Sequence, residues 1–225
     1  MRAQIALPLG KRPISEQVRF HPVMDLDSGD ILGMATEEMA EFEERARFGP
    51  ASKRLEPADP ATWLADRLTR TACAAYDQDA TGRPILVNAP IPALAHPNTA
   101  LACDAAIRRT TMCQQEFCLM FPDAAFAADP ADATSRIARL RRCGFRVGID
   151  MRRSWQTGLS ESLRIMIDTL RVDASAVHVS DDLHEAAIAA AASGILVVAD
   201  GASWRDGPVL AESGISAAIN PRGDA

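Results

Sequence analysis

The sequence predicts an α/β barrel of eight strands, the first antiparallel to the second, and three observations carry that expectation. Short apolar runs recur from residue 84 to residue 220 with helical stretches between them, the alternation from which parallel βαβ units are built. Most of those runs (PILVN, EFCLMF, ILVVAD) show no regular alternation of apolar and polar residues, as expected of strands covered on both faces. Ahead of them, two further strand-like runs are joined by Asp27, Ser28, Gly29 and Asp30, a connection that makes a hairpin. Short strands buried on both faces fit a closed (β/α)8 barrel better than an open sheet, although periodicity does not itself distinguish the two.

In chain order, an irregular start leads into QVRFHPVMDL, a strand that alternates poorly and is therefore expected to be covered on both faces. ILGMAT completes the hairpin, and residues 37–48 (EEMAEFEERARF) have the composition of a surface helix ended by Gly49 and Pro50. After a loop rich in proline and charge, Pro60 opens the helix PATWLADRLTRTACAAY, where its missing N–H is harmless in the first turn. The regular part follows. Strand 84–88 precedes a helix near 98–109, strand 116–121 a helix near 131–142, and strand 145–150 a helix around 159–168. Strand 170–173, helix 181–192, strand 195–200, a helix near 208–213 and the strand SAAIN complete the series. The unit around FRVGID is the clearest: RIARLRRCG carries Ile137 and Leu140 on one face and stops at Gly144, so helix, turn, buried strand and loop follow one another directly.

Bulk properties exclude several classes of function. The 225 residues, 48% hydrophobic, suffice for one large α/β domain, and no internal linker divides them. A net charge of -6, with neither a basic tail nor a basic face visible, argues against a general binder of nucleic acid or anionic membranes. No apolar run approaches the length of a membrane span and the start MRAQIALPLGKRP is too short in apolar residues for a signal peptide, so a cytoplasmic protein is expected. The cysteines at 73, 103, 113, 118 and 143 form no C-x-x-C pair and read as small buried thiols, and His184-Glu185 lacks the second histidine of a zincin.

Four strands end in a polar residue at equivalent places: Asn88, Asp150, Asp173 and Asp200. In parallel α/β folds the C-terminal edge of the sheet is where chemistry is placed, and carboxylates with an amide oxygen suit hard divalent cations. At this point the order and spacing of HPVMDLDSGDILGMATEEM, ILVNAP, FCLMFPDAAF, GFRVGIDMRR, LRVDASAV and GILVVADGAS resemble the EAL-domain family, the phosphodiesterases and receptors of the bacterial messenger cyclic di-GMP. The similarity spans about residues 18–201, and it implies a TIM-like barrel with an antiparallel first strand.

The same resemblance marks departures. The glutamate of the naming tripeptide falls on Ala35, the metal-binding glutamate of the fourth strand on Met120, and the second of two paired aspartates on Met151. The metal-binding asparagine is kept as Asn88 and the first aspartate as Asp150, while Asp123 stands for a second glutamate, Arg171 for a lysine and Asp200 for a further glutamate; a C-terminal glutamine-glycine has no counterpart. Since alanine and methionine offer no hard oxygen donor, no metal, no cofactor and no catalytic residue is expected, and Asn88, Asp150, Arg171 and Asp200 form a vestigial pocket. Ligand-holding positions are altered too: Glu37 replaces a leucine and Met39 an arginine that contacts phosphate. Arg152, Arg153 and Arg171 remain candidates for contact with an anion, or else they pair with Glu37, Glu38, Asp150 or Asp200.

The expectation is therefore an inactive EAL-like domain, one barrel over residues 1–225, that acts through a protein partner or a homodimer; the alternative is a non-catalytic cyclic di-GMP receptor, and least favoured is an active phosphodiesterase. No nucleic acid is expected as a partner. Output through the surface would use residues beyond the core stripe Leu159, Leu163, Met166 and Ile167, namely Trp155 and Ile165.

Overall fold

A computed structural model of the chain describes residues 18–38, 59–127 and 129–223, with Glu38 described in its backbone only. Eight strands close into a barrel in chain order: β1 (Val18–Asp25), β2 (Ile31–Glu38), β3 (Ile85–Asn88), β4 (Phe117–Pro122), β5 (Arg146–Asp150), β6 (Thr169–Asp173), β7 (Leu196–Asp200) and β8 (Ala217–Ile219). β1 runs antiparallel to both β2 and β8, and the other neighbours are parallel. The predicted hairpin and the predicted closure are both present.

Between the strands lie α1 (Pro60–Asp77), α2 (Ile91–Ala95), α3 (Thr99–Ile107), α4 (Ala124–Ala127), α5 (Pro130–Arg142), α6 (Glu161–Arg164), α7 (Ala174–Val177), α8 (Asp181–Ala192) and α9 (Gly207–Glu212). Their starts are set locally. Asp59 accepts from the Ala61 amide ahead of Pro60, Asp129 from the Asp132 amide ahead of Pro130, and Ser180 from the Leu183 amide. After α5 the chain turns through Gly144 at φ 96°, a left-handed conformation that glycine adopts without strain, and drops straight into β5.

Several predicted boundaries need correction. Residues 39–48 of the predicted surface helix lie outside the described residues, and Glu37 and Glu38 belong to β2 rather than to a helix. β1 is not covered on both faces: Val18 and Val23 are buried, Arg19 is exposed and the rest are half-buried. The hairpin returns the chain directly into β2, so no crossover helix follows to lie over β1. The helix predicted over 159–168 shortens to α6. Asp168 accepts from the Val147 amide and ion-pairs with Arg141, which holds the chain extended as it enters β6. The short helices α2, α4 and α7 have no counterpart in the predicted series.

Strand alternation divides the apolar residues into two cores. Ile85, Val87, Leu119, Phe121, Val147, Ile149, Leu170 and Val197 face the helices, with Leu64, Ile107, Ile137 and Leu183 packed around them. Val23, Ala35, Leu86, Cys118, Met120, Val198 and Ala217 fill the barrel itself. The interior is tight around Gly148. A Cβ there would lie 2.4 Å from Met120 Sδ and 2.8 Å from the Thr169 carbonyl oxygen. The methionine can swing aside, but the carbonyl is fixed in the sheet. Gly148→Ala should therefore cost about 1–3 kcal/mol, read as a lower urea midpoint at unchanged slope. Met120→Ala in the same chain should restore only part of it, and a loss under about 0.5 kcal/mol in the single variant would mean a loose interior.

Candidate functional site

The alternation that packs the interior also sets the mouth. Asn88, Asp150, Arg171 and Asp200 stand at or near the C-terminal ends of β3, β5, β6 and β7, above the apolar floor of Leu86, Met120 and Val198. Their side chains form one hydrogen-bonded chain. Arg171 Nε and Nη2 donate to Asp200 Oδ1 at 3.1 and 3.0 Å, Nη2 also reaches Oδ2 at 2.8 Å, and Nη1 donates to Asn88 Oδ1 at 3.3 Å. From the loop after β5, Arg152 turns back onto Asp150 with Nε to Oδ1 at 2.9 Å and Nη2 to Oδ2 at 2.7 Å. Its Nη1 donates to Asp200 Oδ2 at 2.5 Å, so the two aspartates and the two arginines alternate in a single network.

Burial and charge compete in this network. Arg171 is only 7% exposed, and burial, reinforced by the nearby charge of Arg152, draws its affinity for the proton down against the pull of Asp200 and Asp150. Burial acts on Arg152 in the same direction, yet hydrogen bonds and charge from Asp150 and Asp200 overcome it and hold Arg152 above its ordinary value. Burial would raise the Asp150 carboxyl; its bonds to Arg152 and the charges of Arg152 and Arg171 outweigh that and hold it below the usual carboxylate range. Every carboxylate oxygen of Asp150 and Asp200 carries a guanidinium partner, and the network balances two negative charges with two positive ones.

The cleft above it has a volume of about 340 Å³. His21 and Glu37, diagonal partners on the β1–β2 hairpin with His21 Nε2 3.4 Å from Glu37 Oε2, stand on one wall, and Asn220 and Arg222 on another. Asp173 does not join the mouth. It caps α7, accepting from the Ser175 and Ala176 amides at 2.9 and 3.2 Å, a correction to the reading that grouped it with Asp200. Asp123, 0% exposed, accepts from Ser154 Oγ at 2.8 Å and from the Gln156 and Thr157 amides at 2.7 and 3.0 Å, and so pins the loop that carries Arg152.

The remaining sequence-predicted positions are placed as follows. Ala35 and Met120, each 1% exposed, lie in the barrel interior, whereas Met151, 0% exposed, packs in the outer core. Arg153 is exposed and does not line the cleft, so of the three candidate anion contacts only Arg152 and Arg171 face the mouth, both already bound to aspartates. Trp155 is half-buried against the outer core rather than exposed; Ile165 is 75% exposed. Cys103 and Cys118 are buried with their thiols pushed up to about 12 by burial, but Cys73 and Cys113 are exposed, against the expectation of buried thiols. His21, Asn220 and Arg222 went unread in the sequence; inward alternation from Val23 to His21 would have placed the first. Among the described residues no group of three histidine, cysteine or acidic side chains could hold a metal ion, and no helix is long and apolar enough to cross a membrane.

Comparison with known proteins gives one consistent family. A family profile described as EAL domain matches residues 15–204. Among solved structures, the chain is similar to the PaMucR phosphodiesterase in its c-di-GMP complex, at 17% identity and TM-score 0.65 over 90% of this chain and 93% of that one. The EAL domain of Mycobacterium smegmatis DcpA aligns at 20% identity and TM-score 0.65 over 90% and 88%. Klebsiella pneumoniae BlrP1 in a manganese/cy-diGMP complex aligns at 15% identity and TM-score 0.69 over 90% of this chain and 54% of its own. No protein of curated function matches by sequence.

Proposed function

Because the chain belongs to the EAL-domain family, we propose that it is a catalytically inactive member that works in cyclic di-GMP signalling by binding a protein, as one barrel unit. The observation that carries this reading is the closed network Asn88–Arg171–Asp200–Arg152–Asp150. A divalent cation needs several oxygen donors free to turn toward it. Here all four carboxylate oxygens of Asp150 and Asp200 accept guanidinium hydrogens, and a cation approaching them would meet two fixed positive charges. Ala35, Met120 and Met151, which stand where the resemblance puts further ligands, have no hard oxygen to offer. The donor set does not fit a two-cation cluster, and Arg152 and Arg171 supply structurally the positive charge that the carboxylates require.

A receptor for cyclic di-GMP is the second reading, supported by the size of the cleft and by Arg222 on its wall, which forms no ion pair with a described residue. Against it, the two inner arginines are already engaged and Glu37 on the cleft wall repels a dianion. Two measurements on the pure protein decide. Incubation with cyclic di-GMP and Mn²⁺ or Mg²⁺ should give no linear dinucleotide, and its accumulation would overturn the inactive reading. Calorimetric titration with cyclic di-GMP should show no heat of binding at micromolar protein; a saturable isotherm moves the assignment to the receptor.

A further inference from the structure

At the end of the barrel opposite the mouth, the residues that lead into two successive strands gather a second charged surface. Arg108 and Arg109 follow α3 ahead of β4, Arg141 and Arg142 close α5 ahead of β5, and Arg146 opens β5. All five are exposed. Half-buried Cys143, its thiol pushed up by burial and by Asp104, lies within the field of both Arg108 and Arg142. Asp104 pairs with Arg108 at 2.8 Å and Asp168 with Arg141, whereas Arg109, Arg142 and Arg146 form no ion pair with a described residue. Nearby, Arg83 and Glu116 neutralise each other at 2.9 Å.

Helix dipoles account for part of this. Cations in a last turn are favourable, which suffices for Arg141 and Arg142 on α5 and for Arg108 on α3. Arg146 sits on a strand and gains nothing from a dipole, yet it is exposed beside them. The patch also adjoins a large apolar side chain: Arg141 Nη1 donates to the Met166 carbonyl at 3.0 Å, one residue from Ile165, which is 75% exposed.

We propose that this face, with Arg109, Arg142 and Arg146 on it and Ile165 at its edge beyond Arg141, docks an acidic protein segment that carries an apolar side chain. The inference rests on the reading of the chain as a protein-binding module and names the chemistry of its partner. Guanidinium forks match carboxylates two bonds at a time, and an exposed apolar side chain bordering a charged surface suits a protein interface. Tyr76, 74% exposed at the end of α1, is one aromatic where single-strand binding uses several as stacking platforms, and a lone isoleucine inserts little into a bilayer, so nucleic acid and membrane fit less well.

The test uses the full chain and a fluorescein-labelled dodecapeptide of glutamate and aspartate with two central leucines. Anisotropy should rise saturably at low salt, with affinity falling at least roughly tenfold on raising salt to about 0.3 M. The triple variant Arg109→Glu, Arg142→Glu, Arg146→Glu should lose binding by tenfold or more at a thermal transition nearly unchanged, since none of the three is buried or ion-paired with a described residue and only the exposed bond from Arg109 Nε to the Ala105 carbonyl is given up; Arg142→Gln alone, with a shallower salt dependence, serves if the triple variant does not fold. Ile165→Ser should weaken the peptide several-fold without changing that dependence. Equal binding by wild type and triple variant, no binding by either, or tighter binding to phosphatidylserine vesicles or a single-stranded oligonucleotide would each overturn the proposal. Such a failure, with cyclic di-GMP still intact after incubation with metal, refutes this surface and leaves the inactive-module reading standing; hydrolysis of cyclic di-GMP refutes that reading instead.

Discussion

Replacing Asp200 with alanine should lower the stability of the protein by about 3 kcal/mol, because it strips the shared acceptor from buried Arg171 and half-buried Arg152. Arg171 would be left with Asn88 Oδ1 at 3.3 Å as its remaining partner among those described here, and Arg152 with Asp150 alone. Removing one member of a buried ion pair costs far more than removing both, since the orphaned charge stays desolvated. For a chain of this size the loss corresponds to a fall of roughly 6–12 °C in Tm. The double variant Arg171→Met, Asp200→Leu, which deletes charge from both sides, should recover most of it. Acid should act on the same network. Asp150 is held below its ordinary value in the folded chain, so its contribution is fully present above the unfolded value of about 4 and is lost as pH falls through the lower folded value. An Asp200→Ala protein that melts within a degree of wild type would show the mouth to be solvated and its ion pairs to contribute little.

The parts of this architecture that were legible in the sequence are those governed by repetition. Parallel strands buried on both faces announce themselves as apolar runs, and the polar residue closing β3, β5 and β7 marks the edge where Asn88, Asp150 and Asp200 meet. What was illegible depends on the path of a loop. Arg152 lies two residues after Asp150, and nothing in that spacing says that its side chain will fold back and bridge to Asp200 from the far side of β6. Asp173 illustrates the opposite error: its position matched Asp200 strand for strand, in direct register. The serine two residues on, which donates to Asp173 Oδ1 at 2.5 Å, was the signal that this carboxylate is used in a turn. Trp155 is half-buried on the outer core for a related reason. Loops between parallel strands return over the helix layer, and a large aromatic there finds apolar surface to cover before it finds a partner.

The loop that brings Arg152 to the mouth is itself held by a single buried carboxylate, and removing it should release the loop. Asp123 accepts from Ser154 Oγ, Gln156 N and Thr157 N, its carbonyl accepts from Thr157 Oγ1 at 2.9 Å, and its amide donates to the Asp150 carbonyl at 3.0 Å. The end of β4, the end of β5 and the turn at 154–157 therefore meet at one residue. Asp123→Ala deletes three charge-assisted bonds and leaves two backbone amides to find water in a buried place, a loss of about 3 kcal/mol. Thr157, itself buried, would have to open with the segment. Since Arg152 and the exposed Arg153 lie on that loop, its release can be read directly by trypsin. Cleavage after these two residues should become at least roughly tenfold faster under native conditions, because proteolysis tracks the population of the opened form. Asp123→Asn, which keeps the shape and one acceptor, should fall between the two. A tryptic rate in Asp123→Ala equal to wild type would mean that the loop is held from elsewhere, and the placement of Arg152 at the mouth would then need a different anchor.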